Sequence, residues 1–156
     1  MADYITKEGM LRLRKRMQHL IEVRSEVIKH VVEAREMGDL SENAEYHAAR
    51  EKQNAVEKEY NHLKKRSSQL MVIDPASISK DSARFGARIT MEEVNEGTIV
   101  KLQLVGIDEV YTTEDGYERT SILSPRGTAL IGKKVGDVIT VKAPRGDFSY
   151  KILTIE

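Results

Sequence analysis

Two apolar stripes of the same period, separated by only a few residues, constrain this chain more than any other feature. Met10, Leu13, Met17, Leu20, Val27, Val31 and Ala34 follow one another in alternating steps of three and four, with Arg24 in one slot. Such steps keep side chains on one side of a helix and define an a/d heptad seam. Ala49, Val56, Leu63 and Leu70 recur every seven residues, and Tyr60 and Ser67 fill intermediate slots. The first helix is predicted to start at Thr6, with Lys7 and Glu8 in its first turn. It is predicted to stop at Met37-Gly38, where glycine suits a left-handed C-terminal cap. The second is predicted from about Ser41 to Leu70. Helices joined so briefly must fold back antiparallel. At roughly 1.5 Å per residue each is about 45 Å long. The result is a finger too narrow to enclose a pocket, held by its seam because neither helix is stable alone in water.

The second half has a different grammar. All three Pro and eight of the ten Gly lie after residue 71, where Val, Ile and Thr are also frequent. The change falls in the turn-rich stretch Ile73 to Ser82. The expected organisation is therefore a coiled-coil unit over residues 1–74 with its tip at 38–46, a linker over 75–82, and a sheet unit over 83–156. Strands are predicted at Arg88–Thr90, Thr98–Val105, Glu118–Leu123, Asp137–Lys142 and Phe148–Ile155, the last two flanking a four- or five-residue hairpin loop around Pro144-Arg145-Gly146-Asp147. Ser124-Pro125, with Gly132 beyond, marks one short helix between them. The fold class is α+β, an antiparallel helical hairpin followed by a small, mostly antiparallel sheet with one helix.

Composition excludes several functions. Lys+Arg and Asp+Glu are both 25, so the formal net charge is zero, which does not suit a uniformly basic nucleic-acid binder. There is no Cys, hence no disulfide, thiolate nucleophile or Cys-based zinc site. No apolar run approaches membrane-spanning length, and the N-terminus does not read as a signal peptide. A cytoplasmic protein without a membrane partner is expected, in keeping with the absence of Cys. Trp is absent and aromatics are few, which weakens readings that need stacking platforms. His19, His30, His47 and His62 form no metal-binding spacing.

The chemistry-bearing residues concentrate between the helices, in Gly38-Asp39-Leu40-Ser41-Glu42-Asn43-Ala44-Glu45-Tyr46. If the second helix begins near Asp39, then Asp39 and Glu42 share one helix face, with β-carbons about 5–6 Å apart. Two carboxylates so placed can hold a Mg²⁺ whose other ligands come from water and phosphate. The same Asp-x-x-Glu spacing is also a capping box, with Asp39 at the N-cap. Spacing alone leaves both open. Arg35 and Arg50 flank the tip and could contact RNA phosphates, or equally form part of a solvated face.

The stretch Glu33-Ala34-Arg35-Glu36-Met37-Gly38-Asp39-Leu40-Ser41-Glu42-Asn43-Ala44-Glu45-Tyr46-His47-Ala48-Ala49-Arg50-Glu51 closely resembles the coiled-coil tip signature of GreA-type transcription elongation factors. Ser124-Pro125, Ala129-Leu130-Ile131-Gly132-Lys133-Lys134-Val135-Gly136-Asp137 and Lys142-Ala143-Pro144 resemble the family's C-terminal domain. The resemblance spans nearly the whole chain. It implies an FKBP-like C-terminal domain, and a hairpin that enters the secondary channel of bacterial RNA polymerase. There it would stimulate cleavage of the backtracked nascent RNA 3′ end by the polymerase, so that the chain is not itself an enzyme. The essential acids fall on Asp39 and Glu42, the RNA-binding basic patch on Arg35 and Arg50, and supporting polar groups on Ser41 and Asn43. The implied cofactor is Mg²⁺ held jointly with the polymerase, with none in the free protein, which is expected to be a monomer. The chain departs from the family pattern Ser-Pro-Ile-Ala-Arg-Ala at Arg126-Gly127-Thr128. The intact tip argues against the related anti-cleavage inhibitors. A plain coiled-coil adaptor, a prolyl isomerase and a glycosidase are the competing classes, the last disfavoured because a bare finger has no cleft for sugar.

Overall fold

A computed structural model describes residues 3–38, 43–111 and 115–156. By internal contacts the chain divides into two compact units, one of Met10–Leu70 and one combining Met1–Gly9 with Met71–Glu156. Residues 1–9 and 71–74, read from sequence with the hairpin, therefore belong with the sheet. Among the described residues, no helix is long and apolar enough to cross a membrane.

The hairpin consists of α1 (Lys7–Arg35) and α2 (Ala44–Gln69). Met10, Leu13, Leu20, Val27, Val31 and Ala34 of α1 are buried, and Arg24 occupies the remaining slot of the seam. On α2 only Val56 is fully buried, while Tyr46, Ala49, Gln53, Tyr60, Leu63 and Ser67 are half-buried at the same alternating steps. Antiparallel pairing follows from cross-helix contacts. Arg16, early in α1, forms a two-point ion pair with Glu59, late in α2, at 2.9 and 3.0 Å. Arg35, at the end of α1, lies over the ring of Tyr46 in the first turn of α2. The polar slot at Arg24 is filled by stacking, its guanidinium 5.2 Å from the centroid of the Tyr60 ring. A cation over an aromatic face keeps its charge partly solvated and still covers apolar surface.

The start of α1 is as predicted, with Thr6 as its cap, the hydroxyl accepting the Gly9 N–H at 3.0 Å. What periodicity missed is that Asp3–Thr6 forms a strand, β1, which pairs with β2 (Leu70–Ile73) in a two-stranded ribbon. The second sheet contains β3 (Arg88–Glu93), β4 (Ile99–Val105), β5 (Glu118–Ser121), β6 (Val138–Ala143) and β7 (Gly146–Ile155), in the order β5-β4-β3-β7-β6. All neighbours are antiparallel except β4 and β5, which are parallel. The hairpin loop is tighter than expected. Ala143 pairs with Gly146, which leaves only Pro144-Arg145 to turn. Gly146, with φ of +128°, supplies the backbone conformation that lets the ladder start immediately.

One face of the sheet carries Ile89, Met91, Leu102, Leu104, Ile139 and Ile152, covered by Leu130 of α3 (Pro125–Leu130). Ser124 caps α3 as predicted, accepting the Gly127 N–H at 3.0 Å. The departure at Arg126-Gly127-Thr128 has a local cause. A Cβ on Gly127 would collide with the backbone of Ser121 and Ile122, so only glycine permits this close approach. Arg126 pairs with Glu118 at 3.1 Å, and Thr128 bonds back to the Ser124 carbonyl at 3.0 Å. The predicted linker contains a short 3-10 turn over Pro75–Ser77, capped by Asp74. Ala83, just beyond it, donates to the Lys133 carbonyl at 2.7 Å and accepts from Gly132 at 2.8 Å.

Candidate functional site at the hairpin tip

The sequence places a helix start near Ser41, with Asp39 as one possible cap. The structure corrects this. The second helix begins at Ala44, and its cap is Asn43, in an extended conformation with its side-chain oxygen accepting the Tyr46 N–H at 3.0 Å. The other end of the same amide donates to the carbonyl of Ala34, in the last turn of α1. One side chain therefore satisfies a free N–H at the start of α2 and adds a second donor to a carbonyl in the last turn of α1. Asn suits this because its amide carries both an acceptor and donors, whereas Asp carries acceptors only. The cap of α2 is therefore Asn43, while Asp39 and Glu42, the residues of the expected capping box, lie outside the described residues. Asn43, expected as a supporting polar group at the tip, is the clamp of the hairpin.

The first helix ends at Arg35, two residues before the predicted stop. The chain then closes with Met37 N–H donating to the Ala34 carbonyl at 3.2 Å, and Gly38 takes φ of +138°. Asp39, Leu40, Ser41 and Glu42 lie outside the described residues. The candidate acids Asp39 and Glu42 and the hydroxyl of Ser41 thus fall in the connection between Gly38 and Asn43. Among the described residues there is no group of three His, Asp or Glu side chains able to hold a metal ion.

Both candidate cations are exposed. The Arg35 guanidinium stands 6.0 Å from the centroid of the Tyr46 ring, and Arg50 donates to Gln53 at 2.8 Å along its own helix. Tyr46 also meets the His47 ring at 5.6 Å. Periodicity did not single out Tyr46. Its signal in the sequence is its place on the seam, three residues before Ala49.

Behind the tip the seam is lined by small residues. Val27, Ala34, Ala48 and Ala49, with Met37 and flanking glutamates, line an open groove of about 450 Å³.

These elements define a class before any comparison. A helical arm carries a short acidic connection at its end, stapled by one amide and flanked by two arginines, on a chain that continues into a mixed sheet. The family model described as "Transcription elongation factor, N-terminal" matches residues 3–72, and "Transcription elongation factor, GreA/GreB, C-term" matches residues 78–156. Transcription elongation factor GreA of Thermodesulfovibrio yellowstonii is 42% identical over 158 residues, covering 99% of this chain and 98% of that one. GreA of Solidesulfovibrio magneticus is 44% identical over 151 residues, covering 97% and 90%. Among solved structures, GreA factor homolog 1 of Thermus thermophilus is 24% identical, covers 100% of this chain and 99% of its own, and has a TM-score of 0.46. The chain belongs to the GreA/GreB family of transcription elongation factors.

Proposed function

We propose that this chain enters the secondary channel of bacterial RNA polymerase tip first and stimulates cleavage of the 3′ end of backtracked nascent RNA. The observation that carries the reading is the clamp at Asn43. Asn43 caps α2 and binds back to α1, so the start of α2 is capped without calling on Asp39 or Glu42. Two carboxylates in so short a connection have the donor chemistry of a Mg²⁺ site that remains incomplete until a partner adds ligands. Mg²⁺ shared with the polymerase would polarise the attacked phosphodiester and lower the pKa of the attacking water. Asp39 and Glu42 would hold that ion and orient the water, with the Ser41 hydroxyl as a further hydrogen-bonding group beside them. Arg35 and Arg50 would hold the phosphates of the extruded RNA without reading its sequence. The chain alone cleaves nothing in this scheme, and it acts as a cytoplasmic monomer.

The test is a backtracked elongation complex carrying end-labelled RNA. Asp39→Asn and Glu42→Gln should each abolish stimulated cleavage while leaving polymerase binding intact. Normal stimulation by both variants refutes the tip mechanism.

A further inference from the structure

The last turn of α1 and the first turn of α2 touch at two consecutive residues of α1. Asn43 donates to the carbonyl of Ala34, and the ring of Tyr46 carries the guanidinium of Arg35, 6.0 Å from its centroid. The first contact fixes main chain and the second fixes a side chain. The ring is itself anchored. Its residue's N–H is held by the Asn43 side-chain oxygen at 3.0 Å, its side chain is half-buried on the seam, and the His47 ring meets it edge-on at 5.6 Å.

Arg35 differs from the other arginines of the hairpin in how it is held. Arg16 engages Glu59 through two nitrogens, and Arg50 engages Gln53 through one. Among the described residues, Arg35 donates to no acceptor and enters no ion pair. The sequence prepares this. The positions three and four residues before it, where an ion-pair partner would stand on a helix, are Val32 and Val31. An arginine in the last turn of a helix can also turn its donors onto the free carbonyls there, and Arg35 does not.

The ring supplies a hold of a different kind. A cation over an aromatic face is attracted by the ring quadrupole and uses no acceptor atom. The N–H donors of the guanidinium stay available, and their planar fork matches two oxygens of one phosphate. A carboxylate in place of the ring would occupy those donors and cancel the charge. The Arg24–Tyr60 stack, at 5.2 Å, shows the contrast. There both side chains are half-buried and close a polar slot of the seam, whereas Arg35 is exposed.

We propose that Tyr46 is a positioning residue, whose ring holds the Arg35 guanidinium, charged and with its donors open, in place to bind a phosphate of the extruded RNA. This rests on the function proposed above and adds that the ring sets the strength of the Arg35 contact. A long side chain on an exposed helix end loses rotamer freedom when it meets a ligand, and the ring takes part of that loss before the RNA arrives.

The experiment is a double-mutant cycle on stimulated cleavage of end-labelled RNA in a backtracked elongation complex. The concentration of the chain is varied, so that maximal rate and half-saturating concentration are read separately, and circular dichroism checks that each variant is folded. Tyr46→Leu keeps an apolar side chain on the seam and removes the ring face. It should lower the maximal rate about threefold to fivefold and leave the half-saturating concentration within about twofold. Tyr46→Phe should match the unaltered chain. Arg35→Ala should lose at least as much as Tyr46→Leu, and adding Tyr46→Leu to it should cost nothing further. Tyr60→Leu makes the same change at the Arg24 stack and should leave the maximal rate unaltered.

A loss from Tyr46→Leu that is as large in Arg35→Ala as in the unaltered chain would make the ring a support of the tip and overturn the proposal. Full activity of Tyr46→Leu, or equal losses in Tyr46→Leu and Tyr46→Phe, or in Tyr46→Leu and Tyr60→Leu, would overturn it too. In all these cases, loss of cleavage in Asp39→Asn keeps the proposed function standing. Normal stimulation by both Asp39→Asn and Glu42→Gln refutes that function, and the positioning role falls with it.

Discussion

Replacing Asn43 by alanine removes two hydrogen bonds. The cap to the Tyr46 N–H contributes about 1 kcal/mol, within a range of roughly 0.5–2. The bond to the Ala34 carbonyl adds about 1 kcal/mol. Asn43→Ala should therefore lower the stability of the tip end of the hairpin by about 2 kcal/mol, whereas Asn43→Ser, which keeps the cap and loses the donor, should cost about half as much. Native-state hydrogen exchange is the suitable assay, because it reads local opening within one unit of a two-unit chain. At a factor of ten for each 1.4 kcal/mol, the amides of Arg50 and Glu51 should exchange roughly thirtyfold faster in Asn43→Ala and about fivefold faster in Asn43→Ser. Amides near Val56, deeper in the seam, should change little. A change of less than about threefold in Asn43→Ala, or equal changes in both variants, would refute the clamp.

Three further outcomes follow from the sheet unit and the seam. Gly127→Ala forces a methyl into the backbone of Ser121 and Ile122 and should cost about 1–3 kcal/mol in urea unfolding of the sheet, with α3 displaced. Glu109 is 2% exposed and accepts the Thr6 N–H at 2.8 Å as well as the Thr6 hydroxyl, and burial raises its pKa above the usual carboxylate value despite those bonds. The folded chain then keeps a proton that the unfolded chain has already lost. Stability should fall as pH rises from the ordinary carboxylate value through the raised one, and Glu109→Gln should remove that slope in pH-resolved denaturant titrations. Leu20→Ala empties a seam position that is 3% exposed and should cost about 2–5 kcal/mol, measured as loss of helix on heating.

The hairpin was legible in the sequence because one physical rule governs it. Of the stripe from Met10 to Ala34, every apolar residue but the half-buried Met17 is buried at the expected steps, and the polar slot at Arg24 stands as an exception within the pattern. Strands β3, β4, β6 and β7 were legible for a similar reason, through runs of β-branched residues between turn signals. The ribbon was not. Four residues at Asp3–Thr6 are too few to show alternation, and Leu70 serves the helical stripe and the next strand at once. The tip exposed a different weakness. Asp39-x-x-Glu42 and Asn43-x-x-Tyr46 are comparable local signals for a helix start. The choice between them is made by the Asn43 bond to Ala34, nine residues away, on which local spacing carries no information. The two-residue turn at Pro144-Arg145 was read too long because Gly146 looked like part of the loop, whereas its positive φ makes it the first residue of β7.

The clamp at Asn43 separates two jobs that short connections usually combine. Because Asn43 ties the start of α2 to the end of α1, the hairpin is secured just outside residues 39–42, as a handle is secured apart from the bit it carries. Variation confined to these four positions is then expected to leave the length of the arm and its seam untouched.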